Sequence, residues 1–361
     1  YMTNRPDIPA RLEFQLISTK FPGQVRKLMA EDYEQFTKTL MESSTLGKTM
    51  KKGSFAKDKI ATLSDDQDVK AEELYIWLRD HFVHDGSIGF SSQKAGRSAF
   101  NEGSGSVADI NLTLVAAMQE AELQANPVIL STRGSGTPHP IYPNTEDFNY
   151  VIGAVETSSG IVLFDATGSL PFGVLPKKCL NSNGWLLGEA GGKWVKLKSK
   201  AEYGSTTLVT YSHSAGEMNV DYAVKYTGYA AIQESAKVKD DETKYEENLA
   251  SIFPEAELSD TELNTDENDM IVKFHTTKSI DGDILYIQPI QYGSELENPF
   301  KREERMSLVD FPYGISESVI IKIDIPEGYT AEMPEQMNVS LPNNGGRFLY
   351  TATVMGGQVN I

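Results

Sequence analysis

The chain holds one thiol, Cys179, and only five imidazoles that could activate one. A cysteine becomes a nucleophile when its pKa falls, and neighbouring cations lower it. Lys177 and Lys178 precede Cys179 directly, so a relocated thiol nucleophile is one reading of this run. No histidine lies near it in sequence, and a buried structural thiol is the preferred alternative. Ser106 could attack an acyl group if a base stood beside it; capping the helix that follows is the preferred role for Ser104 or Ser106. His81 and His84, spaced i, i+3 and flanked by Asp80 and Asp85, could hold a metal ion, but no third ligand is in view and an exposed helix end is the preferred reading. Arg133 and His139 fall at or within the long Gly134 to Asn144 loop, either as ligand contacts or as surface residues.

These residues need a scaffold, and composition bounds it. The 361 residues exceed one ordinary core, and two domains are expected. Acidic side chains outnumber basic ones 51 to 33, for a formal charge of -18, which repels phosphate backbones and anionic lipid surfaces. Nucleic acid is therefore not an expected partner. No apolar run approaches the roughly eighteen residues of a membrane-spanning helix. A lone cysteine excludes an intrachain disulfide and a multi-cysteine zinc site, and leaves the compartment open. No cofactor is expected. The chain begins at Tyr1 without an apolar leader and ends on a strand-like run, and reads as a fragment of a longer protein.

Local patterning places the elements. Leu12 to Ile17 alternates like a strand, Phe21-Pro22-Gly23 breaks it, and Gln24 to Glu42 reads as helical. Ser64-Asp65-Asp66-Gln67 has capping-box spacing, and Val69, Leu74, Trp77, Leu78 and Phe82 make an apolar face for a helix ending near His84. Val107 to Glu122 is apolar nearly all round, which predicts a buried central helix. Strands are expected over Asn126 to Thr132, Phe148 to Val155 and Ile161 to Phe164. Helices followed by a small antiparallel sheet make an α+β core. From about Thr206 the period becomes two, with Met218, Val220, Tyr222, Val224 and Tyr226 on one face. Similar runs recur at Met270 to His275, Ile284 to Ile287, Val319 to Ile325 and Arg347 to Val354, with turns such as Asp281-Gly282 and Asn343-Asn344-Gly345-Gly346 between them. They predict an all-β sandwich interrupted by one acidic helix, Val238 to Phe253.

Gly105-Ser106-Val107-Ala108-Asp109 with the apolar helix behind it, Phe148-Asn149-Tyr150-Val151-Ile152, and Leu163-Phe164-Asp165-Ala166-Thr167 together resemble the transglutaminase-like branch of the papain-like superfamily. The resemblance is most specific from about Ser92 to Leu187. It extends, through Asn126 to Arg133, Leu175 to Asn181, Asn298-Pro299-Phe300 and Val309-Asp310-Phe311, to large bacterial envelope proteins in which such a core sits between two β-rich domains. It implies a papain-like core of helices packed on a small antiparallel sheet over 21–198, a β-sandwich over 199–361, and a linker, 1–20, from an absent amino-terminal β domain.

The family's cysteine falls on Val107 and its histidine on Tyr150; of the triad only Asp165 survives. Valine has no nucleophile, and a tyrosine with a pKa of about 10 is no base at neutral pH. The expected protein is therefore a catalytically inactive binding or scaffolding module, with Ser106, Arg133, His139 and Asn149 as candidate cleft contacts. The resemblance implies the periplasm or envelope of a Gram-negative bacterium and a protein or glycan partner. Two rivals remain open: an active hydrolase or acyl transferase using Cys179 or Ser106, and a structural module whose cleft is filled by Tyr150.

Overall fold

The structure is a computed structural model describing residues 18–25, 27–28, 32–214, 216–254, 256–266, 269–279, 284, 286–288, 290–293 and 309–361. The Leu12 to Ile17 strand, the Asp281-Gly282 turn and Asn298-Pro299-Phe300 lie outside the described residues. The chain divides into two compact units, Tyr1–Ala201 with Glu304–Tyr313, and Glu202–Glu303 with Gly314–Ile361. The sequence reading put 304–313 in the second half; the fold puts this segment in the first unit, where Arg133 donates to the Asp310 carbonyl at 2.8 Å and pairs with its carboxylate at 3.2 Å.

The first unit mixes helices with an antiparallel sheet. Helix α1, Tyr33–Glu42, starts later than the predicted Gln24: Phe21 to Gln24 turn, Lys27–Leu28 pairs with Ser18–Thr19, and Asp32 caps α1 by accepting from Gln35 N at 2.8 Å. Helix α2, Gln67–His81, is capped by Asp66, which accepts from Asp68 N and Val69 N, both at 3.0 Å. Ser64 is not the cap that its spacing predicts: its hydroxyl accepts from Asp66 N at 3.2 Å, and its own N–H donates to Glu73 Oε2 at 3.0 Å. Of the predicted apolar face, Leu74, Leu78 and Phe82 are buried and Val69 is 46% exposed, while Ala71 and Tyr75 are buried as well.

Helix α3, Val107–Glu120, is buried at every residue from Val107 to Met118, as its composition predicts. Its polar members are all bonded: the Thr113 hydroxyl donates to Asp109 O and accepts from Gly96 N, and Asn111 reaches the sheet. A side chain at Gly53 would meet the Ala116 carbonyl at 2.1 Å, so this helix is approached there by bare backbone. Beside it lie β1 (Ala125–Leu130), β2 (Tyr150–Thr157), β3 (Gly160–Phe164), β4 (Asn183–Gly188) and β5 (Gly191–Lys196), in the order β3-β2-β1-β4-β5, all antiparallel.

The second unit is built on β6 (Tyr203–Ser214), β7 (Glu217–Gly228), helices α4 (Tyr229–Asp240) and α5 (Glu242–Ser251), then β8 (Glu257–Thr265), β9 (Asp269–Ser279), β10 (Ile315–Asp324), β11 (Met337–Ser340), β12 (Arg347–Tyr350), β13 (Thr353–Met355) and β14 (Gln358–Asn360). Seven strands form one sheet, β8-β9-β7-β6-β10-β14-β13, in which β6 and β10 run parallel; β11 and β12 form a separate hairpin.

The alternation along β7 is borne out: Met218, Val220, Tyr222, Val224 and Tyr226 are buried. What covers them differs from the all-β sandwich. Ala230, Ala231, Tyr245, Leu249 and Phe253, on α4, α5 and just beyond, join the same core, with the Phe253 ring 5.4 Å from both Tyr222 and Phe274. A helical pair thus covers part of this face. The acidic helix is two helices, broken at Asp241, whose side chain accepts from Lys244 N. Described residues at Ile284 and Tyr286 to Ile287 form no strand, and Arg347 to Val354 splits between the hairpin and the large sheet. No helix among the described residues is long and apolar enough to cross a membrane.

Candidate functional site

Three elements converge where the resemblance places its triad. Val107 is the first residue of α3, Tyr150 opens β2, and Asp165 follows β3. All three have no exposed surface. The Tyr150 hydroxyl donates to Asp165 Oδ2 at 2.7 Å and lies 3.3 Å from Thr167 Oγ1. The other carboxylate oxygen, Oδ1, accepts from Asn111 Nδ2 at 3.1 Å and from Thr167 N at 2.9 Å. Asn111 also donates to Val151 O and accepts from Ala166 N, tying α3 to β2 and to the end of β3. Burial, and then the Asp165 charge, push the Tyr150 phenol upward, so it holds its proton and acts as a donor.

Val107 contributes packing and a backbone N–H that donates to Ser87 O at 3.1 Å. Ser106 is the cap that the sequence suggests: its hydroxyl accepts from Asp109 N and donates to Asp109 Oδ2 at 2.8 Å, and Asp109 returns a bond to Ser106 N. The carboxylate that accepts this proton is held below its ordinary pKa, so it is a weak base and leaves the hydroxyl a poor nucleophile. Burial pushes the Asp109 carboxyl up, but hydrogen bonds from Ser92, Ser106 and the Lys94 N–H outweigh it and hold it below the ordinary carboxylate value.

A carboxyl depressed on folding stabilises fully above its unfolded pKa of about 3.9, and that contribution disappears as pH falls through the lower folded value. Asp109→Asn is therefore expected to lower the urea midpoint at pH 7 and to flatten its fall below pH ~4. Titrating that midpoint for both proteins checks the sign.

Cys179 closes a short turn, Lys177–Cys179, and is completely buried. Burial and the Asp165 charge push its thiol well above the ordinary value; Lys178 opposes them more weakly, and its ammonium sits 4.7 Å over the Tyr150 ring. The activating effect expected of the lysines is thus overridden by desolvation. Arg133 is committed to Leu180 O and to Asp310, so it braces the unit and is not free to meet a ligand. Asn149 accepts from Thr132 N and donates to the Thr132 and Ser135 hydroxyls, pinning the start of the loop. His139 stays exposed; its Nδ1 accepts from Ile141 N and Tyr142 N, and its carbonyl accepts from the Tyr33 hydroxyl at 2.6 Å.

His81 donates through Nε2 to Phe100 O at 2.7 Å and stacks on that ring, while His84 bonds Ser87 O. No group of three metal-ligating side chains occurs among the described residues. Asn111 and Tyr75, which bonds Asp165 O and Leu170 O, are the members of the Asp165 network that the sequence reading missed. Asn111 carried a signal, because an amide inside a helix that is apolar all round must find buried partners.

Residues 283–361 match the model of a family described as a domain of unknown function with a solved structure, DUF3858. A crystal structure at 2.00 Å described as that of a candidate protease from Parabacteroides distasonis ATCC 8503 aligns with 90% of this chain and 50% of its own, with a TM-score of 0.44 and 9% identity. The chain spans half the length of that protein. No curated protein matches the sequence.

Proposed function

We propose that the first unit is a catalytically inactive, transglutaminase-like module that serves as a binding or scaffolding element in a bacterial envelope, with a protein or glycan partner. The observation that carries the loss of catalysis is the Tyr150–Asp165 bond: the acid of the former triad is satisfied by a phenol that cannot act as a base, and Val107, at the position of the family's cysteine, has no nucleophile. The buried, proton-retaining Cys179 supports the same reading. Complete burial of Val107, Tyr150 and Asp165 further favours a cleft closed by its own side chains, so that a partner is met by the surrounding surface. The envelope setting and the partner class rest on the sequence resemblance alone.

The test is alkylation of Cys179 by iodoacetamide across pH, in the native protein and in urea. A fully buried thiol reacts only through opening, so native labelling is expected to be at least about a thousandfold slower than labelling of the unfolded chain. Rapid native labelling with an apparent pKa below about 8.5, or amide hydrolysis or acyl transfer that disappears in Cys179→Ala, overturns the reading.

A further inference from the structure

The second unit holds a cavity of about 790 Å3, lined entirely from within that unit. One wall is the alternate residues Ile315, Val319, Ile321 and Ile323 of β10, which share a face because strand side chains alternate. Ile321 and Ile323 are buried at its floor, while Ile315 is 50% and Phe348, on the opposite hairpin, 58% exposed at its mouth. Ile315 to Ile323 covers about 26 Å at ~3.3 Å per residue, so the space is a slot that follows a strand rather than a compact pocket. Apolar surface left open at this scale is costly to a domain unless something covers it.

The charges and rings around the slot select the occupant. Among the described residues, Glu317, Asp324 and Glu332 line it against one cation, Arg347; Arg347 Nε donates to Asn338 Oδ1 at 3.1 Å, and Asp324 Oδ1 accepts from Gln358 Nε2 at 2.8 Å. Tyr286, Tyr329 and Tyr350 add aromatic faces. An anionic amphiphile would meet this excess of carboxylates, whereas a lysine or arginine would find carboxylates and ring faces together.

We infer that this slot binds an extended segment of a partner protein in which apolar residues alternate with lysine or arginine, the apolar side chains entering the slot and the cations meeting its acidic rim. Length, apolar wall and charge each match that one chemistry, and the inference stands apart from the reading of the first unit.

The experiment is calorimetric titration of the full chain with the peptide acetyl-Lys-Val-Lys-Phe-Lys-Val-Lys-amide and its counterpart with glutamate in place of every lysine. The basic peptide is expected to bind at least tenfold more tightly. Val319→Trp, which fills the slot, is expected to abolish binding, and Glu332→Lys, at an exposed rim position, to cut the preference at least threefold. Equal affinities, no heat from either peptide at ~1 mM, or capture of phosphatidylglycerol vesicles in place of the basic peptide overturns the inference. If Val319→Trp fails to fold by circular dichroism, Glu332→Lys decides: an unchanged preference overturns the inference.

Discussion

Asp165→Ala is expected to lower the unfolding free energy of the first unit by about 3–5 kcal/mol. The substitution removes the acceptor for three donors at once, the Tyr150 hydroxyl, the Asn111 amide and the Thr167 N–H, and the first two belong to side chains with no exposed surface. Each buried donor left unpaired costs about 1–3 kcal/mol, and shared surroundings make the sum less than additive. Urea unfolding followed by tryptophan fluorescence reads this unit selectively, because Trp77, Trp185 and Trp194 are the chain's three tryptophans and all lie within it. Asp165→Asn keeps an acceptor for Asn111 and Thr167 and is expected to lose roughly half as much. A wild-type midpoint for Asp165→Ala would mean that the carboxylate is not a structural group, and would reopen a catalytic role for it.

The second large effect is steric. Gly153 on β2 faces Phe164 across the sheet, and a Cβ there would sit 2.0 Å from one ring carbon and 2.1 Å from another. Phe164 cannot swing away: it is fully buried, with Tyr75 and Phe172 each 6.1 Å from its ring centre. Gly153→Val is therefore expected to cost at least about 3 kcal/mol, the upper end for overpacked cores, or to prevent folding. In the milder Gly153→Ala background, Phe164→Leu is expected to recover part of the loss, giving a coupling of about 1–3 kcal/mol in a double-mutant cycle on the same fluorescence readout. Strict additivity of the two substitutions would show that the ring does not set this constraint.

Legibility in the sequence followed the range of the interactions. The buried central helix and its Ser106 cap were readable because apolar residues on every face and a serine at the boundary are local signals. Likewise, β7 announced its buried face by strict alternation. At the start of α2, two local acceptors competed: Ser64 had the right spacing, but its hydroxyl took the Asp66 N–H while the Asp66 carboxylate took those of Asp68 and Val69. The all-β pattern did not show the helical cover, because a one-sided strand pattern reports that a face is covered and not by what. Helices α4 and α5 cover it, starting directly from Gly228, whose φ of 57° and close approach to Glu202 O exclude a side chain.

Composition and local pattern by themselves settle that this chain has one thiol, a strong acidic excess, a run apolar on every helical face after Ser106 and a strand alternation after Thr206. These are properties of single residues and of spacings of two to four, which no later packing can revise. Tertiary structure alone decided that Cys179 is buried against the Asp165 charge, that Asn111 meets Asp165 across 54 residues of chain, that Arg133 is spent on Asp310, and that a slot opens along β10. Their physical reason is common: burial, desolvation and hydrogen-bond partnership depend on which distant segments share a small volume, and local propensity carries no information about that.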